Sequence, residues 1–549
     1  MPYNFNPHRH VKIWLSKDKN TFLNLENQIR LVKMRDINPN DEINFIYDAK
    51  LLSPKALADL HSFCARYNII AKNIHQDVFP LCQTEKERQL IEIYNDEMSH
   101  LEEGGNVAVG SDILRWLKPV YELGTYTDFD VHVDTSKLPE IISVEKPVLI
   151  NIGSCEVNLH NEAILLNNDR VAVVHSQDAL PSIEKIQQAI YNNCSRQPIS
   201  ENNFIHQYLL TSEENLGKIL TPQLAAYQLV FDPNTKILKK LAELFRGKTG
   251  REVRKEIIDS TANNLIFSKH TLKNQKKLFS GLTEKEIIKD AAEILENSNL
   301  LATLFSENNI TLSPQEKVTQ ERAQYRMTML KHSVIQTSGP RALHAIFGLY
   351  YNIKTVDTEV APFAFSHYGL ADAFKSDNSF GIHSTRHDVM TKLQEVEVGK
   401  CNDLSWLQEG QNATAKREQK MIQVQSLFRD IPQKINAHIQ KIENQLNGCL
   451  GFYRNRERHA KIDALRKTLN HFGEGGFDIQ SFNAAIENYQ SKDISASIGK
   501  SKTKELIDEL KHFVQLALDN NLTTKKGVVI ILAPASDKQD KRAKNGPAV

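Results

Sequence analysis

The chain has no apolar run approaching the roughly 18 residues that a membrane-spanning helix needs. Its first residues lack the basic-then-apolar pattern of a secretory signal peptide, so export, if it occurs, is expected to use a route that reads no such signal. Cysteine is scarce and scattered: Cys64, Cys82, Cys155, Cys194, Cys401 and Cys449, with no C-x-x-C pair. That excludes a disulfide framework or a structural zinc site and fits reduced thiols in a cytosol. Charge of one sign is missing too. The formal net charge is +1, so no global field draws the protein to nucleic acid. Arg246-Gly247-Lys248-Thr249 looks like the end of a phosphate loop, but the first glycine position holds Ala242 and the preceding residues read as helical, which excludes that class of ATPase. His383 and His387 stand four apart without the glutamate of H-E-x-x-H, and Arg386 between them repels a cation.

What is present is globular: 40% hydrophobic and 25% charged residues over 549 positions, enough for two or three domains. His10 to Leu15, Ile43 to Tyr47 and Ile69-Ile70 read as strands. Between them come a helix from about Thr21 to Val32 and one opened by Ser53-Pro54 that runs to about Tyr67. This alternation predicts a parallel α/β sheet with its ligand at the carboxyl ends of the strands. Thr84 caps a polar helix to Leu101, and Gly104-Gly105 ends it. Pro147 to Ile152 and Val171 to Val174 read as strands, and Ser182 to Asn192 as a helix. Residues 191–332 read as a helical insertion, basic in its middle: Lys236 to Lys277 carries twelve basic and four acidic residues. Residues 333–406 return to the core, with Thr337-Ser338-Gly339-Pro340 opening a helix through Tyr350. Residues 407–549 form a C-terminal helical domain, with helices over Lys420 to Leu446, kinked or split at Pro432, and Arg456 to Leu469. Arg454 to Lys467 has six basic and two acidic residues after Phe452-Tyr453. Such a helix suits anionic lipid as well as a solvated bundle. Phe472 to Phe477 holds a Gly-Glu-Gly-Gly hinge, and Val528 to Leu532 reads as a short strand.

The chemistry concentrates between Ser111 and Asp134, read as a helix, a glycine turn and a strand. Asp128 and Asp130 stand at i and i+2, which on a strand puts both carboxylates on one side. Two carboxylates suit a hard divalent cation, Mn2+ or Mg2+, whose other ligands are waters and substrate phosphates. Asp112 and Arg115, at i and i+3, share a helix face. A carboxylate there suits sugar hydroxyls, and a guanidinium suits a phosphate or hydroxyl. Tyr126 adds a stacking or hydrogen-bonding group.

The string S-D-I-L-R, a spacer, then G-x-Y-x-D-x-D resembles the donor site of DXD-type GT-A glycosyltransferases of the bacterial toxin and effector class, the large clostridial glucosylating toxins and the Legionella effector glucosyltransferases. Where that pattern has two glycines, this chain has Leu123 and Gly124. The resemblance covers about the first 190 residues and roughly 333 to 406. It implies a GT-A-like α/β core with a UDP-sugar donor, UDP-glucose first, and a retaining, metal-dependent transfer to a Ser or Thr hydroxyl of a host protein. The protein would then be a secreted effector acting in the host cytosol. The resemblance also implies that Trp14 stacks on the base, that Ser111 belongs to the donor site and that Asn161 reaches the sugar. Asn402 or Asp403, with Ser405 and Trp406, would form a flap that closes over the diphosphate and completes the metal shell.

Several readings stay open. The donor is alternatively UDP-N-acetylglucosamine or a GDP-sugar. A glycoside hydrolase needs carboxyls about 5–9 Å apart across the sugar from separate segments, and metal dependence separates it from a transferase. A degenerate core acting as an adaptor, with its basic helices on a membrane, is the third.

Overall fold

The computed structural model describes residues 2–158, 161–195, 248–258, 334–335, 337–347, 360–375, 384–385, 408–446, 455–473, 476–483 and 502–532. The chain divides into two compact units, one of residues 1–22 and 40–411, the other of 23–39 and 412–549.

In chain order the elements are β1 (Tyr3–Phe5), β2 (Arg9–Trp14), α1 (Leu25–Ile37), β3 (Glu42–Tyr47), α2 (Pro54–Arg66), β4 (Ile70–Asn73), α3 (Glu85–Ser99), α4 (Val107–Leu114), α5 (Lys118–Tyr121), β5 (Thr125–Thr127), β6 (His132–Val133), β7 (Ile142–Val144), β8 (Val148–Asn158), β9 (Asn161–Val173) and α6 (Ser176–Cys194). After the insertion begins come α7 (Gly250–Ile258), β10 (Phe374–Lys375) and β11 (Ser384–Thr385). The first unit is built on a seven-stranded sheet in the order β11-β8-β9-β5-β2-β3-β4. Strands β5, β2, β3 and β4 are mutually parallel, as the alternation of strands and helices leads one to expect. The other part differs. The two short runs expected after the aspartates are the ends of one long antiparallel hairpin, β8 and β9, and β9 also runs antiparallel to β5. The sheet is therefore mixed.

Local chemistry sets the helix starts. Ser53 caps α2 through Ala56 N, and Pro54 occupies the first turn. Thr84 and Glu87 close a capping box on α3. Gly124, before β5, has φ +144°, and a Cβ there would stand 2.3 Å from the Arg9 carbonyl oxygen. Only glycine lets β5 start beside β2.

Alternation along the strands gives the sheet two unlike faces. Val11, Ile13, Tyr126, Ile150 and Val171 point into one hydrophobic core, closed by Leu90 and Tyr94 of α3, Ile113 and Leu114 of α4, and Ile183, Ile186 and Ile190 of α6. His10, Lys12, Thr125, Thr127 and Arg170 lie on the opposite face and are also buried. Phe365 and Phe374 cover that face.

Helix α7 is the described part of the basic stretch, and its cations meet acids of the same chain. Arg251 Nε donates to Asp96 at 2.8 Å, Lys255 Nζ to Glu103 at 3.0 Å, and buried Arg254 pairs with buried Glu97. In the second unit, α1 meets the C-terminal region through Arg417 and Glu26 at 3.0 Å and Lys33 Nζ and Asn521 Oδ1 at 2.8 Å. That region has helices α8 (Gln408–Leu446), α9 (Asn455–Leu469) and α10 (Lys502–Asp519) and a small antiparallel sheet of β12 (Phe472–Gly473), β13 (Gly476–Asp478) and β14 (Val528–Val529). Of the kink or split expected at Pro432, the split does not occur: α8 runs as one helix through it. Apolar residues on both sides of the proline, Val424, Ile435, Ile439 and Ile442, are buried, so packing on either side holds the helix together despite the lost backbone bond. Of the Gly-Glu-Gly-Gly hinge, Gly473 ends β12 and pairs with Gly476 of β13, while Glu474 and Gly475 lie outside the described residues. Among the described residues no helix is long and apolar enough to cross a membrane.

Candidate functional site

Strand β5 ends at Thr127, and Asp128 and Asp130 follow in a turn. This corrects the expectation that a strand aligns them on one side. Asp128 N donates to the Asp169 carbonyl at 2.7 Å, and Val131 N donates to the Asp128 carbonyl at 3.2 Å. The residue between them explains the turn. Phe129 is buried, edge-on to Trp14 (ring centroids 5.5 Å apart) and to Phe45 (6.3 Å). Lys12 Nζ lies 5.5 Å from its ring centre and donates to the Asp128 carbonyl at 2.6 Å. Driving the phenyl ring inward leaves both flanking carboxylates at the rim: Asp130 is partly exposed, and the Asp128 side chain keeps 39% of its surface open.

Behind Asp128 lies a buried clasp. Asn106 caps α4 through Ala108 N, and the helical spacing brings Asp112 and Arg115 together at 3.1 Å. Arg115 is shared widely. Its Nη1 donates to the Asn168 carbonyl at 2.5 Å, its Nε to the Ser111 carbonyl and its Nη2 to Ser111 Oγ, both at 3.3 Å. Nη2 stands 3.8 Å from Asp128 Oδ1, and the guanidinium lies 4.1 Å over the Tyr126 ring. The Tyr126 hydroxyl donates to Asp128 Oδ1. Asp112 accepts from Asn168 Nδ2 on Oδ1 at 2.8 Å and from Ser338 Oγ on Oδ2 at 2.7 Å. Asp112 and Arg115 are each only 5% exposed. The sequence led us to expect them at the sugar; here their polar atoms are engaged by protein and hold the turn. Tyr126, expected as a stacking or hydrogen-bonding group, serves Asp128 in the same way.

Charge follows this burial. Desolvation pushes the Asp128 carboxyl up to about 6 against the pull of Arg115, with Asp169 adding repulsion. Burial likewise raises Asp112, opposed by Arg115, Ser338 and Asn168. Burial also works to neutralise Arg115, but Tyr126, Asp112 and Asp128 outweigh it and hold the guanidinium charged.

Trp14 ends β2, half buried, with its indole against Phe129 and its Nε1 without a hydrogen-bond partner among the described residues. Asn161 begins β9, opposite Asn158 in the hairpin. Asn402, Asp403, Ser405 and Trp406 lie outside the described residues, as do His383 and His387. Among the described residues no group of three or more His, Cys, Asp and Glu is placed to hold a metal. Two rim carboxylates do fit Mn2+ or Mg2+, which typically take one or two protein carboxylates and complete their shell with water and phosphate.

Sequence reasoning missed Lys12, Asn151, Asn168 and Asp169, and it read Ser338 only as part of a turn. Asn151 Nδ2 donates to Asp169 Oδ1 at 2.9 Å. A signal was available: Asn167-Asn168-Asp169-Arg170 interrupts an otherwise apolar strand, and four consecutive polar residues in a buried strand need partners.

Comparison with known proteins adds the following. A family model described as glycosyltransferase family 88 matches residues 1–347. Among solved structures the chain is similar to one titled "PaToxG Glycosyltransferase", with 19% identity over 54% of this chain and 87% of that one, at a TM-score of 0.26. It is also similar to one titled "Structure of Transferase", with 12% identity over 35% of this chain and 80% of that one, at a TM-score of 0.23. No curated protein matches.

Proposed function

The chain belongs to glycosyltransferase family 88, and from that premise we propose a metal-dependent, retaining transfer of a hexose, glucose first, from a UDP-sugar to a Ser or Thr hydroxyl of a host protein. In this reading the mixed sheet is a GT-A-like core. The bond from the anomeric carbon to the diphosphate breaks, a bond to the acceptor oxygen forms, and the acceptor's proton passes to the departing UDP or on to solvent.

One observation carries the proposal: an Asp-x-Asp turn at the carboxyl ends of parallel strands, held open at the rim by a buried arginine. Binding sites of open α/β sheets lie at those ends. Asp128 and Asp130 would hold Mn2+ or Mg2+, which when bound supplies Lewis-acid stabilisation of the charge left on the diphosphate. Arg115 and Asp112 act as positioning residues, because they reach Asp128 directly or through each other. Tyr126 fixes the Asp128 oxygen that it bonds. Trp14, at the carboxyl end of β2 beside Phe129, would offer its indole to the base, as the resemblance implies. The flap of Asn402 or Asp403 with Ser405 and Trp406, the contact of Asn161 with the sugar, the host acceptor and action in the host cytosol rest on the sequence resemblance.

The test is UDP release from a panel of UDP-sugars, with and without Mn2+, by the wild type and by Asp128→Asn/Asp130→Asn. Metal-dependent release from one sugar, lost in the variant, is the expected result. Release that ignores both metal and variant would sink the assignment. Turnover of GDP-sugars alone would keep the transfer and overturn the donor.

A further inference from the structure

The polar face of the sheet carries a second cluster, one that the transfer reaction does not use. His10 Nδ1, Thr125 Oγ1, Thr127 Oγ1, and Arg170 Nε and Nη1 are buried polar atoms without a hydrogen-bond partner among the described residues. The four residues are neighbours. His10 pairs with Thr125 and Thr127 pairs with Arg170 across adjacent strands, and the two threonines are i and i+2 on β5. In the antiparallel pair of Thr127 and Arg170 the Cβ atoms stand roughly 4.5–5.5 Å apart on one face. Two aromatic rings close the cluster. Phe374 lies 6.3 Å from the His10 ring, the Arg170 guanidinium 5.6 Å from Phe365, and the two phenyl rings 5.3 Å from each other. None of the four polar residues is more than 1% exposed.

Their chemistry divides in two. His10 Nε2 bonds Asp41 Oδ2 at 2.7 Å. A neutral ring with its proton on that nitrogen leaves a lone pair on Nδ1, and neither it nor the Thr125 hydroxyl is hydrogen-bonded among the described residues. Arg170 and Thr127 face the opposite need. Arg170 Nη2 donates to Asn151 Oδ1 at 2.9 Å, while the adjacent Asp169 carboxylate takes its bond from Asn151 Nδ2. The amide thus stands between acid and guanidinium. A buried guanidinium with two unmet donors, beside a hydroxyl free to turn its proton toward it, calls for an acceptor that carries charge.

We propose that this cluster binds a small monovalent anion of the chloride type between the Arg170 guanidinium and the Thr127 hydroxyl. Burial this deep excludes an organic substrate, and unmet guanidinium and hydroxyl donors suit a small anion. The occupant would stiffen the site from behind. Thr127 precedes Asp128, and Arg170 follows Asp169, whose carbonyl takes the Asp128 N–H. The inference does not depend on which sugar is transferred, or on transfer at all.

The test is thermal unfolding of the full chain at constant ionic strength, with gluconate replaced stepwise by chloride and then by bromide. A saturable rise in Tm of several degrees with both halides is expected, and a flat response in Arg170→Gln and in the shape-conserving Thr127→Val. Equal stability in gluconate and chloride, or an undiminished chloride response in Thr127→Val, would overturn the proposal. If Arg170→Gln does not fold, bromide-soaked wild-type crystals decide. An anomalous peak beside Arg170 supports the anion, and ordered water in its place refutes it.

Discussion

The two faces of the central sheet are made from the same strands and differ in almost everything else. One face presents Val11, Ile13, Tyr126 and Val171 to three helices and forms the main core. The other presents His10, Lys12, Thr125, Thr127 and Arg170, equally buried, to a covering segment with Phe365 and Phe374. An apolar face is satisfied by contact alone and tolerates approximate packing. A buried polar face is stable only where each donor and acceptor is met. The reactive turn sits where the two faces end. Asp128 is held from the apolar side by Tyr126 and Arg115 and from the polar side by Lys12. The contrast teaches a division of labour: the apolar face supplies stability, and the polar face with the rim supplies placed charge.

The strongest way to break this division is at the rim. Asp128→Asn/Asp130→Asn should lower metal-dependent UDP release by on the order of a hundredfold or more while the unfolding midpoint stays with the wild type. A midpoint that falls in step with activity would show that the rim also carries stability. The apolar face should give the converse. Ile13→Ala removes a core side chain only 4% exposed and should cost about 2–5 kcal/mol in denaturant unfolding, with UDP release per folded molecule unchanged.

Gly110 tests the join between the two. A Cβ there would stand 2.8 Å from Leu15 Cδ1 and 2.9 Å from Met98 Cε. Both atoms end flexible side chains, so Gly110→Ala should cost about 1–3 kcal/mol. The same helix bears Asp112 and leads into Arg115, so its displacement should slow UDP release as well. Loss of stability with full activity would show that the clasp follows β5 rather than α4.

The sequence made the apolar face legible and left most of the polar face dark. Alternating apolar residues in His10 to Ile13 and the apolar, aromatic run of Ile43 to Tyr47 mark strands. Ser53-Pro54 and Thr84 mark helix starts by their capping chemistry. The same alternation misled at Asp128-Phe129-Asp130, where burial of Phe129 wins over continuation of the strand. The hairpin of β8 and β9 was legible only at its outer ends: the strands pair from Asn158 and Asn161 out to Val148 and Val173, and the stretch between Ile152 and Val171 is not read as strand. The clasp itself was half legible. Helical spacing joins Asp112 to Arg115, but Asn168 and Ser338 arrive from 56 and 226 residues away. Only the out-of-place polarity of Asn167 to Arg170 hinted at the first.

Acid acts on rim and polar face together, and metal tells them apart. The Asp128 carboxyl, pushed up to about 6, holds a proton at acid pH that a divalent cation must displace. Apparent Mn2+ affinity should therefore fall about tenfold per pH unit below about 6, and excess Mn2+ should restore the rate. His10 works through stability. Burial lowers its pKa, opposed by Asp41, so the folded chain refuses a proton that the unfolded chain accepts below about 6.5. Stability from this residue is present above that pH and declines as pH falls through it, with no rescue by metal. UDP release titrated with Mn2+ at about pH 7, 6 and 5, beside unfolding midpoints at each pH, separates the two. Activity lost in acid and recovered by Mn2+ belongs to Asp128. Activity lost together with the midpoint, and not recovered, belongs to the buried polar face.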